Sequence, residues 1–231
     1  MLFLDWDIID YAEAWERQRA MAAQLIARKT AHASATAHAS ATSDDEPAAG
    51  TVVFCEHPHV YTLGRRGNTS NLLIDADRLA QIGARYYHVD RGGDITYHGP
   101  GQIVCYPVLD LERLHLSLKQ YIFTLEEIII RTLRQYGVTA GRLTGATGVW
   151  LDAGSPSARK IGAIGVHASH YVTTHGLALN INTDLRYYRY IHPCGFTDKG
   201  VTSLAAETGA AVDIDEVKQW LRKYFVSLTN E

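Results

Sequence analysis

The segment from Arg91 to Leu111 has the sequence RGGDITYHGPGQIVCYPVLDL and decides the fold class. It contains two β-prone stretches, Ile95–Tyr97 and Gln102–Leu109, which glycine-rich turns precede and separate. Short apolar stretches between such turns predict hairpin-linked strands of a sheet. The glycines exceed what a hairpin requires, and a backbone without side chains can bring its N–H groups close to a ligand. The segment therefore predicts a sheet and a binding loop, although two tight turns with a solvated Arg91 and a packed His98 would also explain it.

The rest of the chain adds strands and helices around this segment. Further strands are predicted at Leu2–Trp6, Thr51–Cys55, Val60–Leu63, Tyr86–Val89, Val149–Leu151, Ile161–Val166 and Thr174–Ile181. Helices are predicted at about 10–29, at Ala76–Ile82, from Ser117 to about Tyr136, and after Asp213, on apolar periodicity and capping residues. The pattern indicates one α/β (α+β) domain over residues 1–231, with a mixed, largely antiparallel sheet flanked by helices.

Residues 31–46 form the least regular segment. Ala31–Thr36 has the sequence AHASAT, Ala37–Thr42 repeats it, and an acidic run, Ser43–Glu46, follows. Two copies of a hexapeptide are too few for a repeat architecture, so a flexible inserted loop is expected. His32 and His38 lie on tracts that do not fix ligand geometry, and no metal site is predicted.

Composition excludes several classes of protein. The chain has 231 residues, 46% of them hydrophobic, and a formal net charge of −3, which fits a packed globular protein and argues against a general nucleic-acid binder. The cysteines, at positions 55, 105 and 194, form no CxxC pair, so a reducing compartment, in the first instance the cytoplasm, is expected. No apolar run is long enough to cross a membrane, and the acidic N-terminal residues are unlike a signal peptide.

Lys160 begins the stretch KIGAIGV (Lys160–Val166). The small residues that follow it leave room along one strand face for a long, slender ligand, although a lysine at a strand end can also extend to water. A second glycine-containing strand, THGLALNIN, occupies positions 174–182. The two strands can form a hairpin that brings later residues back toward Lys160.

Cys194 is the candidate nucleophile. It lies between Pro193 and Gly195 in a turn-forming context, whereas Cys105 lies inside an apolar strand, where cysteines are usually inert. A free thiol has a pKa near 8.5, and an ammonium group about 4 Å away contributes roughly 4 kcal/mol at an effective dielectric of 20. A pair of Cys194 and Lys160 could therefore perform acyl transfer without metal or nucleotide. Zinc binding by His192 and Cys194 lacks the second pair of ligands that such sites need.

Taken together, these segments closely resemble the lipoyl(octanoyl) transferase family. The stretches RGGDITYHGPGQ, YPVLDL, KIGAIGV, THGLALNI, IHPCG and TSL occur in the family's order and spacing over roughly residues 50–205. The resemblance implies the biotin/lipoate protein ligase fold and an acyltransferase of lipoate biosynthesis and protein lipoylation. Such an enzyme moves an octanoyl group from octanoyl-acyl carrier protein, through a cysteine thioester, to a lysine of a lipoyl domain, with no cofactor.

The resemblance also implies roles for individual residues. Cys194 corresponds to the cysteine that carries the acyl group and Lys160 to the lysine that lowers its pKa. The implied substrate-binding residues are Arg91, Gly92, Gly93, Asp94, Ile95, Thr96, Tyr97, His98, Ala163, Ile164, Gly165, Gly176, Leu177 and Ala178. We expect the acyl tail to lie along the small residues, Gly162 included, and Arg91 or His98 to help stabilise the oxyanion. The sequence departs from the family at His167 and His170, where many members carry arginine, and at Gly162, where alanine is common.

The implied acceptors are lipoyl domains of 2-oxoacid dehydrogenase subunits and the glycine cleavage H protein. Both kinds of protein partner tend to be acidic, and Arg65, Arg66 and Arg91 could form a local basic rim for them. A monomer is expected, with no nucleic acid and no membrane as a partner. Amidotransfer between lipoyl-domain proteins, an ATP-dependent lipoate–protein ligase and a non-enzymatic lipoyl-domain-binding module remain alternatives, as does a mitochondrial or plastid interior after loss of a transit peptide.

Overall fold

The computed structural model describes residues 1–36, 49–193 and 199–229. The strands are β1 (Leu2–Ile8), β2 (Gly50–Glu56), β3 (Val60–Leu63), β4 (Arg85–His88), β5 (Ile95–His98), β6 (Gln102–Leu109), β7 (Gly141–Leu143), β8 (Ala146–Leu151), β9 (Arg159–Ser169), β10 (Val172–Asn180) and β11 (Gly200–Val201). The helices are α1 (Tyr11–Thr36), α2 (Ala76–Gln81), α3 (Leu118–Arg134), α4 (Leu204–Thr208) and α5 (Ile214–Thr229), and short 3₁₀ turns occupy Thr69–Asn71 and Leu185–Tyr190.

The strands form two sheets. The large sheet has the order β1-β2-β6-β10-β9-β8-β7, with β11 paired to β9, and the small sheet has the order β4-β3-β5. The pairs β1–β2, β3–β4 and β9–β11 are parallel and the others are antiparallel. This confirms the predicted α/β class with a mixed, largely antiparallel arrangement, but the strands that were expected in one sheet are divided between two.

The turn between β5 and β6 explains this division. Gly101 has a φ of +79°, and a Cβ atom there would lie 2.7 Å from the Asn182 carbonyl oxygen, so the chain can turn sharply against the residues that follow β10 only with glycine at this position. The Gln102 N–H closes the turn by donating to the Gly99 carbonyl. As a result β5 pairs with β3 in the small sheet, while β6 pairs with β2 and β10 in the large sheet.

The main hydrophobic core lies between one face of the large sheet and helices α3 and α5. Buried Leu125, Ile129 and Phe225 pack there against strand residues such as Ile103 and Leu177. A capping box begins α3, as predicted, because Ser117 and Gln120 accept each other's backbone N–H groups. The opposite face of the large sheet is covered by α1 and by the small sheet, and the cavity described below lies on that side.

The loop predicted for residues 31–46 is wrong for its first part. Helix α1 continues through Thr36, well beyond the expected end near Lys29, because every second residue of Ala31–Thr36 is alanine, the best helix former, and no Gly or Pro ends the helix there. The second AHASAT copy and the acidic run after it lie outside the described residues.

Among the described residues, no helix has the length and apolar character that crossing a membrane requires. The cytoplasmic location inferred from the cysteines stays a prediction.

The core contact between β9 and α3 makes a testable prediction. A Cβ atom on Gly162 would lie 3.0 Å from Cδ1 of Ile129, closer than ordinary van der Waals contact. We therefore expect Gly162→Ala to destabilise the protein less in an Ile129→Val background, where Cδ1 is absent, with a coupling of about 1 kcal/mol or more. Urea unfolding of the four proteins of this double-mutant cycle measures the coupling.

Ile128, which is equally buried on α3, provides the control. Gly162→Ala and Ile128→Val should be additive. Additive effects in the Ile129 cycle as well would contradict the contact.

Candidate active site

A cavity of about 510 Å³, counted with the space open to solvent at its mouth, lies between the two sheets. The wall consists of Tyr11, Arg91, Gly93, Asp94, Ile95, Thr96, His98, Val104, Tyr106, Lys160, Ala163, Ile164, Gly165, His175, Gly176, Leu177 and Ala178. The structure thus brings together all of the substrate-binding residues predicted from sequence except Gly92 and Tyr97, and it adds Lys160 to the same wall.

A β-bulge turns Lys160 into the cavity. Lys160 pairs with Trp150 on β8 and Gly162 pairs with Val149, so β9 carries one extra residue between them. Without that residue, the alternation of a strand would place Lys160 on the same face as Gly162, against α3. The extra residue reverses the alternation of side chains at this point of β9, so Lys160 lies on the same face as Ala163, toward the cavity.

Lys160 is buried, and its ammonium group is held by the adjacent strand. Nζ donates a hydrogen bond of 3.0 Å to the Thr147 carbonyl and lies 4.6 Å from the centre of the Trp150 ring. Gly148 leaves room for the side chain, since a Cβ atom there would lie 3.4 Å from Cε of Lys160 and 2.6 Å from the Gly162 carbonyl. The head group is therefore fixed by an oxygen and an aromatic face at one end of the cavity.

Cys194 lies outside the described residues, but Pro193 before it and Val201, seven positions after it, lie next to Lys160. Pro193 and Lys160 line one small recess together with Thr96 and Asn180. After residues 194–198, Val201 of β11 pairs with Lys160, and the Thr202 N–H donates to the Lys160 carbonyl at 2.9 Å.

Arg91 lies at the other end of the cavity. Its guanidinium donates to the Thr62 carbonyl at 2.6 Å and to Thr62 Oγ1 at 2.8 Å, and its side chain passes over Gly165, five positions along β9 from Lys160. Arg91 is buried, so the solvated cation of the alternative interpretation is excluded and Arg91 is not part of a surface rim. Its position beside Gly165 also removes the basis for an oxyanion role near Lys160.

Neutral histidines lie behind the middle of the cavity. His98 donates through Nδ1 to Gln102 Oε1 at 2.8 Å, and its ring stacks on Tyr11. His57 lies between the Ile9 carbonyl and the Tyr106 hydroxyl, each at 2.7 Å. Burial lowers the pKa of His98 to about 3 and that of His57 to about 4. His98 is therefore uncharged at neutral pH, which argues against a positively charged imidazole as the group that stabilises the oxyanion.

His175 is a site residue that the sequence analysis missed. Its Nε2 donates to Asp90 Oδ1 at 2.8 Å, and its backbone N–H donates to Gln18 Oε1 at 2.8 Å. The hydrogen bond from His175 holds the pKa of Asp90 at about 2, while burial lowers the pKa of His175. The backbone at His175 has a φ of +57°, uncommon for a residue other than glycine, and the His-Gly pair at the start of a strand was the available signal.

Two predicted binding residues face away from the cavity. Tyr97 packs in the small sheet, where its hydroxyl lies 2.7 Å from His59 Nδ1 and its ring stacks on Tyr187. The Gly92 N–H donates to the Val166 carbonyl at 2.9 Å and serves to attach the loop to β9. Gly162, expected along the acyl tail, faces α3 instead.

The cysteines other than Cys194 are unsuited to nucleophilic attack. Cys55 and Cys105 are fully buried, and burial raises the pKa of both thiols. This agrees with the expectation that Cys105 is a packing residue.

The chain is similar to proteins of one catalytic family. The family model described as the lipoyl protein ligase A/B catalytic domain matches residues 10–226. An octanoyltransferase of Bacteroides thetaiotaomicron is 54% identical over 230 residues, which cover 100% of this chain and 96% of that protein. An octanoyltransferase of Bacteroides fragilis is 57% identical over 217 residues, covering 94% of this chain and 92% of that protein.

Solved structures show the same fold at low sequence identity. A bipartite lipoate protein ligase of Thermoplasma acidophilum aligns with a TM-score of 0.68 at 17% identity, covering 99% of this chain and 83% of that one. A biotin protein ligase of Aquifex aeolicus aligns with a TM-score of 0.54 at 14% identity, covering 99% and 69%.

The buried histidine at the cavity predicts acid sensitivity. Unfolded histidine has a pKa near 6.5, so on acidification the unfolded chain takes up a proton that folded His98, with its pKa of about 3, does not. The stability that this provides is complete above pH 6.5 and falls between pH 6.5 and 3, by about 2 kcal/mol between pH 7 and pH 5. His98→Asn should reduce the difference between the unfolding free energies at pH 7 and pH 5 by that amount in urea titrations.

His88, an exposed histidine on β4, is the control. His88→Asn should keep the wild-type difference between the two pH values. If His98→Asn keeps it too, His98 is not the buried neutral group described above.

Proposed function

The chain belongs to the family of the lipoyl protein ligase A/B catalytic domain, and we propose that its reaction is the transfer of an octanoyl group from an acyl carrier protein to a protein lysine in lipoate biosynthesis. The observation that carries this proposal is the identity above one half, over nearly the full length of both chains, with proteins named octanoyltransferase. A buried lysine at one end of a largely apolar cavity suits this reaction.

In the first step, the Cys194 thiolate attacks the thioester of the carrier. A C–S bond forms between Cys194 and the octanoyl carbonyl carbon, the bond to the carrier sulfur breaks, and the carrier leaves as a thiol with a proton from Lys160. The placement of Pro193 and Val201 beside Lys160 supports a Cys194–Lys160 pair. The octanoyl tail occupies the cavity along Ala163 and Ala178.

In the second step, the acceptor lysine attacks octanoyl-Cys194 as the free amine. An amide bond forms, the Cys194 thiolate leaves, and Lys160 accepts the proton that the amine loses. Exchange of a thioester for an amide is downhill, so the transfer requires no nucleotide. The apolar wall of the cavity disfavours water beside the acyl-enzyme while the acceptor approaches.

The covalent step predicts a mass shift. Incubation of the wild-type protein with octanoyl-acyl carrier protein, without acceptor, should add one octanoyl group, which intact-mass spectrometry detects. Cys194→Ala should remove the adduct, and Lys160→Met should slow its formation by about 100-fold or more, as expected for loss of a general acid–base group.

Cys105→Ala is the matched control, because Cys105 is buried in β6 and should leave the adduct unchanged. A wild-type protein that transfers octanoyl groups but never carries one would exclude the covalent step.

Acyl carrier protein as donor and lipoyl domains as acceptors are the partners that follow from this reaction. Arg65 and Arg66 are exposed, and their backbone N–H groups donate to the Arg91 and Gly93 carbonyls, which places both arginines beside the cavity loop. We assign these two arginines, without the buried Arg91, to docking of an acidic partner.

The docking assignment predicts a salt-dependent defect. The double variant Arg65→Glu/Arg66→Glu should lower kcat/KM for octanoyl-acyl carrier protein by about tenfold at low ionic strength, and added salt should diminish the difference from wild type. Arg134→Glu, an exposed position on α3, is the control for loss of positive charge elsewhere. A defect of equal size at low and high salt would contradict electrostatic docking.

The alternatives differ in the donor. An ATP-dependent ligase uses free octanoate or lipoate with ATP, and an amidotransferase uses an octanoylated protein. Presenting each donor separately to the same acceptor distinguishes them, and we expect transfer from the acyl carrier protein. The similarity to solved lipoate protein ligases is below 25% identity and bears on the fold alone.

A further inference from the structure

Residues 90–93, the end loop, lie beside Gly165, at the end of the cavity wall on β9 that is farthest from Lys160. On β9, Lys160 and Ala163 come before Gly165, and the side chain of Arg91 crosses the cavity face of Gly165. At about 3.3 Å per residue, the five positions from Lys160 to Gly165 place this crossing at most roughly 16 Å from the Cα atom of Lys160. The space between Lys160 and the end loop therefore has a limited length.

The end loop is attached to three strands. The Gly92 N–H donates to the Val166 carbonyl of β9 at 2.9 Å. The Asp90 carboxylate accepts the hydrogen bond of 2.8 Å from His175 of β10. Arg91 donates to Thr62 of β3 at 2.6 and 2.8 Å. Because these strands belong to both sheets, the loop joins the two walls of the cavity.

The Arg91 side chain leaves no free space over Gly165. A Cβ atom on Gly165 would lie 2.9 Å from Cδ of Arg91 and 3.0 Å from the Gly92 carbonyl oxygen. The space of a single methyl group is therefore already filled by the Arg91 stem.

Displacing the Arg91 side chain is also energetically unfavourable. Its guanidinium is buried, and a buried cation that loses its hydrogen-bond acceptors has no water to replace them. An acyl tail long enough to push the Arg91 stem aside would break the hydrogen bonds to Thr62. A tail that ends before the stem leaves them intact.

We propose that Arg91, held by Thr62, is the residue that limits acyl chain length, because its side chain forms the end wall of the cavity over Gly165. This rests on the proposed function, since it assumes that the acyl tail extends from Lys160 toward Gly165. It assigns Arg91 to specificity and leaves the reacting atoms to other residues.

Competition between two donors tests this assignment. Equimolar octanoyl- and dodecanoyl-acyl carrier protein are supplied to the full-length protein with a lipoyl domain, and intact mass of the domain gives the ratio of the two products. Wild type should favour octanoyl by about tenfold or more. Arg91→Ala, which removes the wall, should lower that preference by about tenfold, a change of the size that pocket contacts give in substrate discrimination.

Arg91→Ala removes a buried side chain and can therefore destabilise the fold. Thr62→Val and Arg91→Met provide two further variants. Thr62→Val removes one acceptor at nearly constant shape, and Arg91→Met keeps the stem without the guanidinium. Both should lower the octanoyl preference in the same direction. Arg134→Ala, an exposed arginine on α3, should keep the wild-type ratio.

Different results would overturn the role of Arg91 and the proposed function. Folded Arg91→Met and Thr62→Val proteins with the wild-type ratio would overturn the role of Arg91, as would a wild type that uses both donors equally. A wild type that transfers nothing from octanoyl-acyl carrier protein would instead overturn the proposed function.

Discussion

The site depends on the burial of the Lys160 ammonium group, which lies against a backbone carbonyl and an aromatic ring of β8. An ammonium group can leave water only where oxygen atoms or ring faces replace its hydration, and Thr147 and Trp150 supply both. The bulge in β9 directs Lys160 to that place, and Gly148 leaves space for its stem. Pairing of β11 with the same part of β9 then places Val201 beside the lysine, and Pro193 lines a recess with it.

The cavity between the sheets combines an apolar middle with polar groups that are already satisfied. His98 and Gln102 bond to each other, Gln102 also donates to Asn180, and His57 bonds to Tyr106. Such a network gains little from water once its partners are in place, so an apolar tail can occupy the cavity without breaking these hydrogen bonds. The network destabilises the folded protein only on acidification, because the unfolded chain then binds protons that the buried His98 and His57 do not.

Local pattern was sufficient to predict most strands and helices, because turn glycines and caps such as Ser117 act over a few residues. The separation into two sheets was missed, since it depends on the packing of Gly101 against Asn182, a contact distant in sequence. The site followed a similar division. Motifs identified the residues of the wall, but alternation along a strand could not indicate the bulge beside Lys160 or the turning of Tyr97 into the small sheet. The burial of Arg91 could not be predicted from its motif, because the Thr62 oxygens that accept its hydrogen bonds lie 29 positions away in the sequence.

An apolar cavity cannot select a medium-length acyl chain by attraction alone. Each buried methylene contributes about 0.8 kcal/mol in favour of binding, so affinity for an open apolar groove rises with every added carbon. Preference for a shorter chain requires a term that opposes the longer one, and a steric or electrostatic penalty is the usual form. Flexible apolar side chains make poor barriers, because they repack around a larger ligand. A buried cation held by oxygen atoms makes a better one, since moving it breaks hydrogen bonds as well as displacing atoms. In this protein the side chain of such a cation, Arg91, crosses the cavity face of Gly165.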